Sequence, residues 1–313
     1  MKLLGFMRMC FVLFARGILA AFPSRGACRI IRFLSFRLPW AWGNSAIFHL
    51  SPYVDGHHPP FVEAPTKSGF RMHLDLRDRW IQRYIYFLGT WDRDSTKIVH
   101  SVLRDGDVFF DVGANVGYFT LMAAKLVGPR GRVYAFEPEP ELYSQLSRNV
   151  TLNGMKNVEL ANVAVTDRSG KILIENVAYI GNRGAASLVP RQPGMPMIEV
   201  NAISLDEFSR MHGIARIRLI KMDIEGAEML ALQGMIGLLS APTVPDLLCE
   251  VDDRLLRRMG FRDEDVYSLL SSLGFKRYAI TPKGLEEVEP GLNPGENLYF
   301  SKRLTAELLV HQV

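Results

Sequence analysis

Two groups of residues in this chain have types and spacing that could do chemistry. The first is Asp111, Gly113, Ala114, Asn115 and Gly117, followed later by Glu137; the second is Asp223, Glu225 and Glu228. In the first group the glycines allow a sharp backbone turn and close approach to a ligand, and a helix opening behind them offers free N–H groups. Glu137 stands 137 − 113 = 24 residues after Gly113, near the offset of about 20 expected of an acid that accepts hydrogen bonds from ribose hydroxyls. The set therefore suits a nucleoside.

The spacing also bears on which nucleoside. A dinucleotide fingerprint reads G-x-G-x-x-G, its second glycine making room for a pyrophosphate. Here the pattern is G-x-x-x-G, with Asn115 where that glycine would stand. Asp111, just ahead of the turn, suits a ligand that carries positive charge and no phosphate, and S-adenosylmethionine is such a ligand. The plainer reading, in which Asp111 only caps the turn, stays open.

The elements that must hold these residues follow from the pattern around them. Val108 to Val112 is a short apolar run that reads as a buried strand, Tyr118 to Val127 as a helix stopped by Gly128-Pro129, and Arg132 to Phe136 as a second strand ending on Glu137. Pro140 to Leu152 is expected to be a helix and Val158 to Val163 a third strand, with Ala164 to Asp167 as its exit. Lys171 to Glu175 and Ile198 to Ala202 read as an inserted hairpin, with Gly181 to Ser187 a candidate lid. Ser204 opens a capping box with Glu207. Ile217 to Met222, an apolar strand interrupted by Arg218 and Lys221, leads into the second acidic group. Three acids at the carboxyl end of such a strand lie where ligands gather in parallel α/β sheets. Asp246 to Val251, Phe275 to Ile280 and Asn297 to Ser301 complete the strands, with a helix from Asp263 to Leu273. Upstream, Val62 to Ala64 and Phe70 to Leu74 read as a hairpin.

The segments FFDVGANVGYFTLMAAKLVGPRGRVYAFEPEPELYSQLSRNVTLNG, Ala164-Val165-Thr166-Asp167, Asn182-Arg183-Gly184 with Ser187, ISLDEF from Ile203 and IKMDIEGAEMLALQGM from Ile220 together resemble the FkbM-type S-adenosylmethionine-dependent methyltransferases. The likeness runs from about residue 70 to 301. It implies a Rossmann-like, seven-stranded, mostly parallel sheet with an antiparallel last strand, and S-adenosylmethionine as methyl donor. It also implies O-methylation of a hydroxyl on a sugar, glycan, glycolipid or other small natural product. On that resemblance Asp111, Gly113, Ala114, Asn115, Gly117, Glu137, Ala164 and Asp167 would hold the cofactor. Asp167 read as a turn residue before Ser169-Gly170 remains the alternative. Asp223 would align the acceptor or take its proton, with Glu225 second; Glu228 reads as an acid at a helix start. Glu250, Asp252 and Asp253 would lie on the acceptor side. No metal is assigned, because no dedicated ligand loop accompanies the carboxylates.

Length and charge set the remaining expectations. The 313 residues leave room for a methyltransferase domain from residue 61 to 313 behind an extension over 1 to 60, and the loop from Ser51 to Pro60 reads as the boundary. Three scattered cysteines make neither a disulfide framework nor a zinc site, and a reducing, cytoplasmic setting fits them. Residues 1 to 54 carry seven basic residues and no acid, so the remainder is (37 − 7) − 33 = −3. The apolar stretches there, Leu3 to Phe22 and Ile30 to Trp42, read as helical. Arginines leave the first shorter than a membrane-spanning helix. A helix lying in a membrane interface, a targeting peptide and a helical pair packed on the protein all fit. Nucleic-acid binding is not expected, since the basic charge sits on an apolar extension without a binding module. A nicotinamide-dependent oxidoreductase and a catalytically idle module remain as other classes.

Overall fold

A computed structural model describes residues 13–15, 17, 25–37, 60–176, 187–190, 194–241, 246–281, 284–289 and 297–303. The described residues fall into two compact units, one running up to Arg93 and one from Asp94 onward. Most of the apolar run from Leu3 to Phe22, nearly all of the Ser51 to Pro60 loop, and the candidate lid except Ser187 lie outside the described residues.

The first unit holds helix α1 (Arg25–Ser35), the hairpin β1 (Phe61–Pro65) and β2 (Arg71–Asp75), and helix α2 (Ile81–Leu88). Helix α1 turns Cys28, Ile31 and Ser35 inward, all buried, and the Ser35 hydroxyl donates to the Phe87 carbonyl at 2.8 Å. Arg32 donates to the Pro65 carbonyl at 2.6 Å. Burial lowers the pKa of its guanidinium. In α2 the fully buried Arg83 donates Nε to the Leu76 carbonyl at 2.6 Å, which satisfies part of a charge that burial would otherwise penalise.

The second unit is an α/β fold. Helix α3 (Arg93–Val102) leads into it, followed by β3 (Val108–Val112), α4 (Tyr118–Val127), β4 (Arg132–Phe136), α5 (Pro140–Leu152) and β5 (Val158–Ala161). The inserted sheet comes next: β6 (Ala164–Val165), β7 (Gly170–Glu175) and β8 (Met197–Ile203). The chain continues with α6 (Leu205–Met211), β9 (Leu219–Met222), α7 (Glu228–Gln233), α8 (Ile236–Ser240), β10 (Asp246–Glu250), α9 (Asp253–Arg258), α10 (Asp263–Ser272), β11 (Lys276–Thr281), β12 (Gly284–Glu287) and β13 (Asn297–Ser301).

The main sheet has the order β12-β11-β13-β10-β9-β3-β4-β5. Strands β5, β4, β3, β9 and β10 run parallel, and β13 enters antiparallel between β10 and β11. This is the expected seven-stranded arrangement with one strand more: Gly284–Glu287 folds back on β11 as an eighth. Its alternation is too short, and too charged at Glu286 and Glu287, to read as a strand on its own. The chain moves outward from β3 to β4 and β5, then returns to the far side of β3 at β9, so the switch point of the sheet lies between β3 and β9.

Strand composition follows from burial. Phe109, Phe110 and Val112 of β3, Leu219 and Ile220 of β9, and Leu247 and Cys249 of β10 are fully buried, as expected of parallel strands covered on both faces. Phe110, Phe136 and Phe208 pack ring against ring, with centroids 4.7 to 6.1 Å apart.

The third strand is shorter than expected. Asn162 turns its amide back to donate to the carbonyls of Glu137 at 2.8 Å and Pro138 at 3.1 Å, which ends β5 at Ala161. Ala164 and Val165 then pair with β8 in a separate three-stranded sheet, β6-β8-β7, whose antiparallel β7 and β8 are the expected hairpin. Of the expected capping box one half forms, the Ser204 hydroxyl accepting from the Glu207 amide at 3.3 Å, while the Glu207 carboxylate accepts from the Ser169 hydroxyl instead.

Candidate active site

At the switch point three parallel strands end side by side. Val112, Met222 and Cys249 are paired in register, so the residues that follow them, Gly113, Asp223 and Glu250, form the adjoining tips. Gly113 has φ 80°, and a Cβ there would sit 2.0 Å from the Asp223 carbonyl oxygen. Only glycine lets the two tips approach this closely. The Asp223 amide donates to the Val112 carbonyl at 3.1 Å and closes the junction.

The glycine turn spends its own donors. The amides of Gly113 and Ala114 both donate to the Phe136 carbonyl at 3.0 Å. The Asn115 amide donates to Glu137 Oε2 at 2.8 Å, and the Val116 amide to Asn115 Oδ1 at 2.8 Å. The Gly117 amide reaches the Ala114 carbonyl at 2.9 Å. Five successive N–H groups thus have protein acceptors, and the turn is not a nest of free donors of the kind that cradles phosphate. Asn115, at φ 51°, tolerates the left-handed conformation better than most side chains would.

Two carboxyls face this turn. Glu137 is buried at the tip of β4, and its other oxygen accepts from the Glu139 amide at 3.0 Å. Burial pushes it up to about 7. Asp111 is 1% exposed. Its Oδ2 accepts from the Thr120 hydroxyl of α4 at 2.6 Å, while its Oδ1 has no hydrogen-bond partner. Burial raises its pKa, and the positive charge of Lys221 opposes that rise. Asp111 does not cap the turn, whose five N–H groups go to other acceptors; it ties instead to Thr120 of α4, which leaves one oxygen over.

Lys221 is the residue that the sequence reading undervalued. It pairs in register with Asp111, and its ammonium lies 3.2 Å from Asp223 Oδ2 and 4.8 Å over the Phe119 ring. Its side chain is 4% exposed against 36% for Asp223, so a buried cation holds an accessible carboxylate. The signal was a lysine inside a mostly apolar strand, two residues ahead of an acid.

The other acids group around this pair. The negative charge of Asp223, then burial, holds Glu250 well above the usual carboxylate range. Glu228 is buried and accepts from the Ile224 amide at 2.9 Å, and burial pushes it up to about 8. It is therefore more than a surface acid facing a helix dipole. Glu225 takes φ 56°, unusual for a side chain of its kind, and its carbonyl accepts from the hydroxyl of the buried Ser187 at 3.3 Å.

The structure thus brings together Asp111, Gly113, Ala114, Asn115, Gly117, Glu137 and Asp223, and sets Glu225 in the turn that follows Asp223. Ala164 and Asp167 come after Asn162 on the small sheet. The Ala164 methyl packs with Ile174, Val200 and Ala202, and Asp167 accepts from the Thr166 hydroxyl at 3.0 Å, next to the point where the Thr166 carbonyl abuts Gly234.

Two expected acceptor-side acids are occupied otherwise. Asp252 caps α9 by accepting from the Arg254 amide at 2.8 Å and pairs with the Arg254 guanidinium at 2.5 Å; despite partial burial, these bonds hold it below the usual carboxylate range. Asp253 pairs with Arg257, one turn along the helix. Both follow from an acid-rich helix start with arginines behind it, which periodicity did not reveal in so short a helix.

Comparison with known proteins agrees with this geometry. Residues 111–277 match the Methyltransferase FkbM domain. The chain is 29% identical over 188 residues to 31-O-demethyl-FK506 methyltransferase FkbM of Streptomyces tacrolimicus, covering 51% of this chain and 71% of the relative. It is 28% identical over 153 residues to Methyltransferase sdnD of Sordaria araneosa, covering 40% and 59%. To Hexuronic acid methyltransferase AglP of Haloferax volcanii it is 26% identical over 180 residues, covering 58% and 68%. With the matched domain spanning the glycine turn, Glu137, Lys221, Asp223 and Glu250, the chain belongs to the FkbM methyltransferase family.

Proposed function

We propose that this chain transfers a methyl group from S-adenosylmethionine to a hydroxyl of a sugar, a glycan or another small natural product. The observation that carries the reading is the pairing at the glycine turn: five N–H groups satisfied within the protein, beside the buried carboxyls of Asp111 and Glu137. A pyrophosphate needs free donors there. A phosphate-free nucleoside bearing positive charge needs acceptors, and the unpartnered Asp111 Oδ1 is one. Glu137 would hold ribose hydroxyls, and Asp111 would balance the cationic end of the ligand. When bound, S-adenosylmethionine supplies an electrophilic methyl group.

The chain supplies position and a proton acceptor. Holding reactants in line is worth up to about 7 to 11 kcal/mol in well-oriented systems. A sugar hydroxyl is a weak acid, so a carboxylate that takes its proton adds roughly 10²- to 10⁴-fold. Asp223 would take that role, a reading supported by its accessibility and its pairing with Lys221, with Glu225 as the second candidate. The sugar class draws support from the hexuronic acid named for the Haloferax relative.

The test is thermal melting of the full chain with S-adenosylhomocysteine, S-adenosylmethionine or NAD. A ligand at about 100 times its Kd stabilises by about 2.7 kcal/mol, or roughly 5 to 10 °C for a domain of this size. The adenosyl compounds should give that shift and NAD none. A shift with NAD alone would overturn the reading in favour of an oxidoreductase, and no shift with any of the three would favour an idle module.

A further inference from the structure

Helix α1 has two opposite faces. Cys28, Ile31 and Ser35 are buried on one. On the other, Ile30 and Phe33 are 46% and 58% exposed, and Arg29 and Arg37 are exposed beside them. Arg29, Ile30 and Phe33 lie within about 100° of arc at helical spacing, and Arg37 stands in the turn just past the end of α1. The Arg37 guanidinium lies over the face of the Phe33 ring, 3.7 Å from its centroid, and also donates to the Phe33 carbonyl at 2.9 Å, so cation and aromatic ring form one exposed unit. Leu13 and Phe14, in the same unit, are 57% and 58% exposed.

Charge says what such a face would meet. Residues 1 to 54 carry seven basic residues and no acid, while the rest of the chain has a balance of −3. Apolar side chains flanked by arginines, in a region without acids, complement the boundary between anionic headgroups and acyl chains, where arginine stems extend along apolar surface and their heads reach phosphate. No helix among the described residues is long and apolar enough to cross a membrane.

We infer that the outer face of α1, through Arg29, Ile30 and Phe33, together with Arg37 in the turn behind it, docks this protein on an anionic lipid surface. The inward residues of α1 are already used in packing on α2, so docking requires no unfolding of the first unit. Methyl transfer plays no part in the inference, which stands or fails on binding alone.

The experiment is sedimentation of the full chain with phosphatidylcholine vesicles, with and without about one-third phosphatidylglycerol. Each arginine near an anionic surface is worth about five-fold in partition, so Arg29→Ser with Arg37→Ser should weaken binding about 25-fold and leave the melting midpoint nearly unchanged. Ile30→Asp with Phe33→Asp should weaken it at least about tenfold, since apolar burial is lost. For the unmodified chain, raising salt from about 0.1 M, where the Debye length is about 10 Å, should release part of the bound protein. Failure to bind anionic vesicles would overturn the inference, as would equal binding to neutral and anionic ones. Undiminished binding by the Ile30/Phe33 variant with loss in the arginine variant would also overturn it, in favour of a soluble polyanion or an acidic protein.

Discussion

Replacing Gly113 with alanine should damage this protein far more than the same change at Gly106, and the difference measures the contact at the switch point. Both glycines have positive φ, 80° and 89°, so each variant bears the backbone strain of a left-handed alanine, about 1 to 2 kcal/mol. At Gly106 nothing lies within 4 Å of the new methyl. At Gly113 the methyl would meet the Asp223 carbonyl oxygen at 2.0 Å and Ile224 Cγ2 at 3.1 Å. Because the obstacle is backbone, a rotamer change gives no relief, and the tips of β3 and β9 must separate by more than an ångström. Overpacking of this kind costs about 1 to 3 kcal/mol. The bond from the Asp223 amide to Val112 would weaken with it, at about 1 kcal/mol.

The excess over Gly106→Ala is thus about 2 to 4 kcal/mol. At about 2 to 4 °C per kcal/mol for a domain of this size, that is roughly 4 to 16 °C in melting midpoint. Melting both variants with and without S-adenosylhomocysteine provides the assay. Gly106→Ala should keep the full ligand shift, and Gly113→Ala should lose it along with stability. Equal midpoints would refute the reasoning about close approach. A destabilised Gly113→Ala that kept the whole ligand shift would refute the assignment of this turn to the cofactor.

Two further outcomes test the acids. Glu228 is pushed up to about 8 when folded, against about 4.3 unfolded. Between those values the folded state holds a proton that the unfolded state has released, so the stability this group contributes is complete below about pH 4.3 and lost as pH rises through 8. Glu228→Gln keeps an oxygen for the Ile224 amide and cannot titrate. Its stability relative to wild type should therefore rise by about 3 kcal/mol between pH 5 and pH 8 in chemical denaturation; parallel curves would show that Glu228 titrates normally. Asp223→Asn should leave affinity for S-adenosylhomocysteine within several-fold and lower kcat by about 10²-fold or more, measured once an acceptor is in hand. Unchanged turnover would remove Asp223 from the mechanism.

Much of the site was legible in sequence because its determinants are local. A glycine at φ 80° followed by a helix start, an acid at the tip of the next strand, and an acid closing a buried run all leave marks within a few residues. The order of strands could likewise be read from alternation and from the family resemblance. What escaped depends on chain segments far apart. The eighth strand exists because Gly284–Glu287 finds the edge of β11, and the break before Ala164 exists because Asn162 reaches carbonyls 25 and 24 residues earlier.

The sequence by itself therefore determined the class of fold, the glycine turn and the acids at the strand tips, since residue type and short-range spacing decide backbone conformation there. Only the tertiary structure decided how those acids differ. Register places Lys221 beside Asp111 and within 3.2 Å of Asp223; burial leaves Glu137 and Glu228 raised; and Arg254 and Arg257 claim Asp252 and Asp253. Carboxylates alike in sequence become unlike in chemistry because desolvation and neighbouring charge act through space, and that space is set by how strands distant in the chain are paired.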